Sequence, residues 1–428
     1  MVFSLFMILL VFVVVYVHYL QGFFSGTLSA IVAVVAGAVA IGYHEVLIAS
    51  LLGGRYADQA SALATCILFA SVYIVLRLII DTFVYGNVRL PPIVDKIGGA
   101  VTGLVAGLIA VGVVTFAAQT LPFGPSIGGY SRLPISEDRT VTVPPAAGRS
   151  VFRDAQVFGE LQPDSLDAPQ GGMLLPADDF VVGLVSHLSN GSLSGSQRLR
   201  DIHPDWLLEL FGQRLGVEAG ARRTAMNKGA DQQVAVGESL FILPQVAQRD
   251  GEIEGLRTVK LDPARRPQGG NALLVVPAKF TLQAADGKDR IARFSPATVR
   301  LVAGGKNYFP VGTLDSAGVL VVNRPDDFLF ADLNVGDANV AFVFELPAEQ
   351  VVQGKTVADG VFFEAKRLAR VDLSGKPVQE RGSLAVPDGV LRKPTKGATP
   401  GAPAVAPTPQ QPVATPAPPA GRDVMPVP

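Results

Sequence analysis

The sequence predicts a mixed fold: an all-α four-helix transmembrane bundle, a β-rich, sandwich-like soluble domain, and a disordered tail. Three observations predict it. Residues 1–120 are almost uncharged and hold four apolar runs of spanning length. From residue 235 the pattern changes to short β-prone runs separated by turn residues. Residues 391–428 are mostly Pro, Ala, Thr and Gln, a composition that cannot bury enough apolar surface to offset the entropy of ordering. The expected divisions are therefore 1–120, a linker with two short helices over 121–234, 235–390, and 391–428.

The four apolar runs cover residues 2–20, 24–43, 60–81 and 97–118. The first two meet at a short turn near Gln21-Gly22, and together they are too long for one span. The N-terminal run lacks a basic flank and a small-x-small cleavage site, so it reads as a retained helix rather than a cleavable leader. In the fourth run Gly99, Gly103 and Gly107 recur every four residues and share one helix face. Small residues at that spacing let membrane helices approach closely, as a helix-packing interface. Asp95 and Lys96 precede this run and mark a membrane boundary, as do Arg77 and Asp81 at the end of the third. No other Asp, Glu, Lys or Arg occupies the centre of a span, which speaks against ion-coupled transport. Arg77, Arg89 and Lys96 near the third connection outnumber Arg55 in the second. The positive-inside rule then places the third connection in the cytoplasm, and both chain ends outside it.

Beyond the spans, Asp178-Asp179 can cap a short helix over Phe180–Leu188. His203-Pro204-Asp205-Trp206 opens a second helix that ends at Gly216, with Trp206, Leu207, Leu210 and Phe211 on one face. The strand-like runs begin at Ser239, Leu273, Lys279, Thr298, Gly318, Asn339 and Gly360. Asp286-Gly287, Gly304-Gly305 and Ser316-Ala317-Gly318 supply turns between them. Seven or more short strands with regular turns suggest a sandwich.

Several chemistries find no support. A net charge of −1 gives no electrostatic reason for a nucleic-acid partner. The single Cys66 permits neither an internal disulfide nor a Cys-based zinc site, and it reads as a small apolar packing residue. Of four histidines, His18 and His44 lie in the membrane region, and His187 and His203 lack ligand spacing. Gly191–Gly195 is a Ser/Gly turn without the context of a protease nucleophile. Asp326-Asp327, with Asp332 and Asp337, lacks a calcium loop and its closing Glu. Pro267–Asn271 is glycine-bearing but precedes a strand, not the helix that a phosphate cradle requires. No catalytic residue, cofactor site or metal site is expected.

Residues 1–120 resemble the Colicin V production protein family. Gln21-Gly22-Phe23-Phe24-Ser25-Gly26-Thr27-Leu28-Ser29 is similar to the family's glycine-containing first turn. Val94-Asp95-Lys96 followed by Gly99, Gly103 and Gly107 is similar to its signature fourth helix. Gln21, Ser25 and Ala106 stand where the family often carries Arg or another charged or polar residue. The resemblance implies a non-catalytic inner-membrane protein serving toxin production or secretion, or organisation of the cell envelope. Its expected partners are the lipid bilayer and other membrane or envelope proteins, with self-association through the fourth helix as a further possibility. The rival readings are a subunit of a transport complex and an enzyme on the β-rich domain; a pocket placing His187 or His203 beside carboxylates would favour the enzyme.

Overall fold

The computed structural model describes residues 2–48, 59–84, 90–124, 126–132, 174–189, 198–218, 233–250, 264–267, 269–285, 290–323, 329–365 and 369–384. The expected tail, Arg55, Arg89, the Gly191–Gly195 turn, Asp286-Gly287 and Asp326-Asp327 lie outside these residues.

Four long helices come first: α1 (Val2–Gln21), α2 (Phe23–Leu47), α3 (Ala60–Phe83) and α4 (Pro92–Gln119). Each is long and apolar enough to cross a membrane. None has an interior proline; the proline in α4 is Pro92, at its first position, where a missing N–H costs nothing. α1 and α2 break at Gly22, whose φ of 89° is a left-handed turn that glycine adopts freely. Within the most apolar stretch of each helix, α4 is 56% and α2 44% buried, against 22% for α1 and 11% for α3. α4 and α2 therefore form the centre, and the outer helices turn Leu5, Phe12, Ile67, Ile74 and Leu78 outward. Cys66 is exposed on α3 instead of packed inside. In a membrane span, apolar side chains are as favourable on the outside as within, so apolarity does not predict burial there.

The bundle has two recognisable ends. At one, the α1–α2 turn meets the start of α4. At the other, Phe3 stacks on Tyr130 at 5.7 Å, beside the end of α4. Here follow α5 (Ala177–Ser189), α6 (Leu199–Ile202) and α7 (Trp206–Glu218). Asp178 and Asp179 lie inside the first turn of α5, and their side chains turn to tertiary partners. Asp205 does cap α7, accepting from the Leu208 N–H at 3.2 Å. Gly216 lies within α7, which continues to Glu218. The expected apolar face of α7 is buried, but so are Leu208, Glu209 and Arg214. The helix is enclosed because Trp206, Leu207 and Leu210 pack with Val181 and Val185 of α5 against Ile41, Ile109 and Phe116 of the bundle.

The strands are β1 (Val234–Val236), β2 (Leu240–Leu243), β3 (Val246–Asp250), β4 (Ala264–Arg265) and β5 (Asn271–Phe280). Next come β6 (Ile291–Phe294), β7 (Val299–Ala303), β8 (Lys306–Tyr308), β9 (Gly312–Leu314), β10 (Leu320–Val322) and β11 (Leu329–Asp332). Last are β12 (Ala338–Pro347), β13 (Val352–Gln353), β14 (Thr356–Val357), β15 (Phe362–Ala365), β16 (Ala369–Asp372) and β17 (Val378–Glu380). The large sheet runs β17-β2-β5-β12-β9-β10-β3-β4, with β1 also on β5. A smaller sheet runs β16-β15-β7-β8.

β5 and β12 are antiparallel, in register from Asn271↔Pro347 to Phe280↔Ala338. Their alternate side chains enter two cores. Leu274, Val276, Phe280, Phe342 and Phe344 meet Leu301 and Phe363 of the smaller sheet. Leu273, Val275, Ala341 and Val343 meet Val311, Leu314 and Leu384 on the opposite face. Burial on both faces explains why these strands read as nearly unbroken apolar runs. The Lys279 run is not a strand of its own; Lys279-Phe280 closes β5, and Leu282–Ala284 is a 3-10 turn. Gly304 and Gly305, with φ of 57° and 70°, make the tight β7–β8 hairpin.

Candidate functional site

The glycine face of α4 lies against α1 of the same chain. A Cβ on Gly99 would stand 2.5 Å from the His18 carbonyl oxygen, and one on Gly103 2.6 Å from His18 Cβ. Gly107 is looser, with Val14 Cβ at 3.4 Å. At this crossing His18 is buried; its Nδ1 is 2.8 Å from the Val14 carbonyl oxygen. Gly22, Asp95 and Phe23 close the nearby turn. Asp95 Oδ1 accepts the Phe23 N–H at 2.8 Å, so a carboxylate from α4 caps the N-terminus of α2. Lys96 Nζ lies 5.6 Å from the Tyr19 ring centre. Arg77 pairs with Asp81 one turn on, and donates to Ser29 Oγ and Ser25 Oγ, both at 2.9 Å. The predicted boundary residues Arg77, Asp81, Asp95 and Lys96 thus gather around one end of the bundle, with the glycine face directly behind them.

A second group, at the opposite end, is more unusual. Glu45, in the last turn of α2, reaches beyond the bundle. Its Oε1 lies 3.3 Å from His203 Nε2, and its Oε2 lies 3.7 Å from Arg370. His203 Nδ1 is 2.6 Å from Glu209 Oε2, on α7. Glu209 also pairs with Arg300 of β7 at 2.5 Å and accepts from Asn307 Nδ2 at 2.8 Å. Arg300 donates to Glu364 Oε1 through Nε and Nη2, at 3.2 and 3.1 Å. Arg370 donates from Nε to Glu364 Oε2 at 2.9 Å. The sheet register makes this possible: Glu364 on β15 stands opposite Arg300 on one side and Arg370 on the other. The ladder Arg300–Glu364–Arg370 crosses three strands on the sheet face turned away from the Phe342–Phe363 core.

The network is dry. Side-chain exposure is 3% for His203 and 4% each for Glu209 and Glu364, rising to 17% at Glu45 and 24% at Arg370. Burial alone would raise the Glu364 carboxyl, but Arg300 and Arg370 hold it down to about 2. His203 lies flat on Trp206, centroids 4.2 Å apart and planes within 5°. His44 covers another part of the indole at 5.4 Å.

A third group ties α5 to the end of α4. Asp178 Oδ2 accepts from Gln119 Nε2 at 2.6 Å and from the Tyr130 hydroxyl at 3.0 Å, while Arg132 pairs with Asp179 at 3.0 Å. Burial, with Asp179 adding to it, raises the Asp178 carboxyl above its ordinary range against the pull of Arg132.

His203 therefore does stand beside carboxylates, but both ring nitrogens face protein partners and the ring is sealed by Trp206. The arrangement suits charge pairing. His187 is separate, exposed near the end of α5. Asp337 pairs with Lys279 at 2.8 Å, and Asp332 bonds the Asn334 N–H at 2.9 Å. Among the described residues no cluster of three or more His, Cys, Asp and Glu could hold a metal ion. Sequence reasoning missed Glu45, Glu209, Arg300, Glu364 and Arg370. A signal existed for two of them: Arg300 and Glu364 interrupt otherwise apolar strand runs, where a lone charge requires a partner.

Residues 3–131 match the family model of the Colicin V production protein, which spans all four apolar helices. Over this segment the chain is similar to that family, and the match covers less than a third of its length. No curated protein and no solved structure matches the chain.

Proposed function

We propose that the protein is a non-catalytic membrane platform of the Colicin V production type that holds a β-rich binding domain on the extracytoplasmic side. Its role is in toxin production or secretion, or in organisation of the cell envelope. The family match over the four helices carries this reading. Two features support it. The chemistry-bearing side chains at the junction are spent on one another: Glu45, His203, Glu209, Arg300, Glu364 and Arg370 close a set of ion pairs that balances when His203 is protonated. The same set fastens the end of a membrane helix to the smaller sheet, so that force or position can pass between them.

The reading is tested by removing the protein from its host cell and measuring two outputs, release of a small peptide toxin and resistance to detergent. Loss of either output, restored by the parent chain, is the expected result. Unchanged outputs, or restoration by residues 1–132 alone, would overturn the platform role for the β-rich domain.

A further inference from the structure

The buried junction joins three separate parts of the chain: α2 of the bundle, α7, and the sheet β16-β15-β7. Among the described residues, five charged groups surround His203, and Arg300 Nη2 comes within 3.2 Å of its Nδ1. Glu45 comes from α2, Glu209 from α7, Arg300 from β7, Glu364 from β15 and Arg370 from β16. His44 of α2 stacks on the same Trp206 that covers His203. With His203 protonated, three cations face three carboxylates in a nearly water-free space. With His203 neutral, one carboxylate is left in excess. The excess falls on Glu45, since Glu209 retains Arg300 at 2.5 Å while the ion pair left to Glu45 among the described residues is the longer one to Arg370, at 3.7 Å. Glu45 and Arg370 are also the members nearest to water. An uncompensated carboxylate at the more exposed edge of the junction is relieved by letting water in.

We propose that this junction is a pH-sensitive latch, closed while His203 holds its proton between Glu45 and Glu209, and loosened between α2 and the sheet when that proton leaves. The direction follows from the electrostatics. Burial works to lower the imidazole, but Glu209 and then Glu45 raise it above its ordinary value of 6.5. A group raised on folding contributes stability that is fully present below its unfolded value and is lost as pH climbs through the folded one. The latch therefore opens on the alkaline side. This inference is independent of the proposed role in toxin production.

Trp206, the only tryptophan of the chain, is a built-in reporter. Protonated imidazole quenches a stacked indole, and acrylamide reports access of solvent to it. The full-length protein is placed in lipid nanodiscs and titrated from about pH 5.5 to about pH 10. Emission should be dim and shielded from acrylamide at the acid end. At the alkaline end it should brighten, and acrylamide quenching should increase at least about twofold, reversibly. Glu45→Gln removes one of the two carboxylates on the ring and should lower the midpoint by about one pH unit. His203→Gln should abolish the transition, and His44→Gln should leave its midpoint in place. If His203→Gln does not fold, the Glu45→Gln shift decides. A flat parent titration, a transition that vanishes in His44→Gln, an unmoved midpoint in Glu45→Gln, or brightening without gain in acrylamide access would each overturn the latch.

Discussion

At Gly103 there is no room for a side chain, because a Cβ would sit 2.6 Å from His18 Cβ and 3.2 Å from Val15 Cα. Neighbouring Val101 is 59% exposed on the outer face of α4. The two positions are two residues apart and have opposite tolerance. Gly103→Leu should push α1 away and destabilise the bundle by about 1–3 kcal/mol, the usual scale of overpacking. Val101→Leu should be near neutral, since leucine is favourable in hydrocarbon. Thermal aggregation of both variants in detergent, followed by size-exclusion chromatography, checks this. Equal melting of the two would remove the glycine face from the list of tight contacts. Glycine spacing was readable in the sequence because an i, i+4 repeat is a local property. The partner of that face was not, since nothing in α4 states which helix will fill it.

On the scale of an element, the sheet ladder shows where reading stops. The short apolar, β-prone runs that mark β7, β12 and β15 depend only on neighbours in sequence, so those strands were legible. Their pairing was not: Arg300 and Glu364 meet across 64 residues, and Asn307 and Glu209 across 98. The buried ladder also predicts an acid limb of stability. Glu364 is held near 2 in the folded protein, against an ordinary 4.5. Its contribution is thus present above about pH 4.5 and disappears as pH falls toward about 2. Glu364→Gln should cost about 3–5 kcal/mol near neutral pH, because it leaves Arg300 and Arg370 facing each other across the strand. Melting temperatures from about pH 7 to about pH 3 check both statements: the parent should lose stability across the acid window, and the variant should start lower and show a shallower decline. A variant melting like the parent at neutral pH would mean that water already screens the ladder.

For the whole molecule, the antiparallel path of the helices makes a statement about sidedness that the sequence made only through charge counting. α1 begins and α4 ends at the same end of the bundle, where Phe3 stacks on Tyr130 and the Phe3 N–H donates to the Gly128 carbonyl at 3.3 Å. The junction Glu45–His203–Arg370 lies there too, so the start of α1, α5, α7 and the smaller sheet share one end of the bundle. Arg77 and Lys96 belong to the opposite end, joined in sequence by Arg89, against Arg132 on the domain side and, in sequence, Arg55. Lys and Arg close to span ends favour the cytoplasm, and long translocated domains count little. The domain side should therefore be extracytoplasmic. Alkaline phosphatase, active only where disulfides form, is fused in separate proteins to the start of the chain, to its end, and into the α3–α4 connection at residues 85–89. The two terminal fusions should be active and the connection fusion inactive. The reverse pattern would invert the orientation and leave the fold intact. Disagreement between the two terminal fusions would contradict the bundle itself, because four spans whose ends meet through Phe3 and Tyr130 cannot put them on opposite sides.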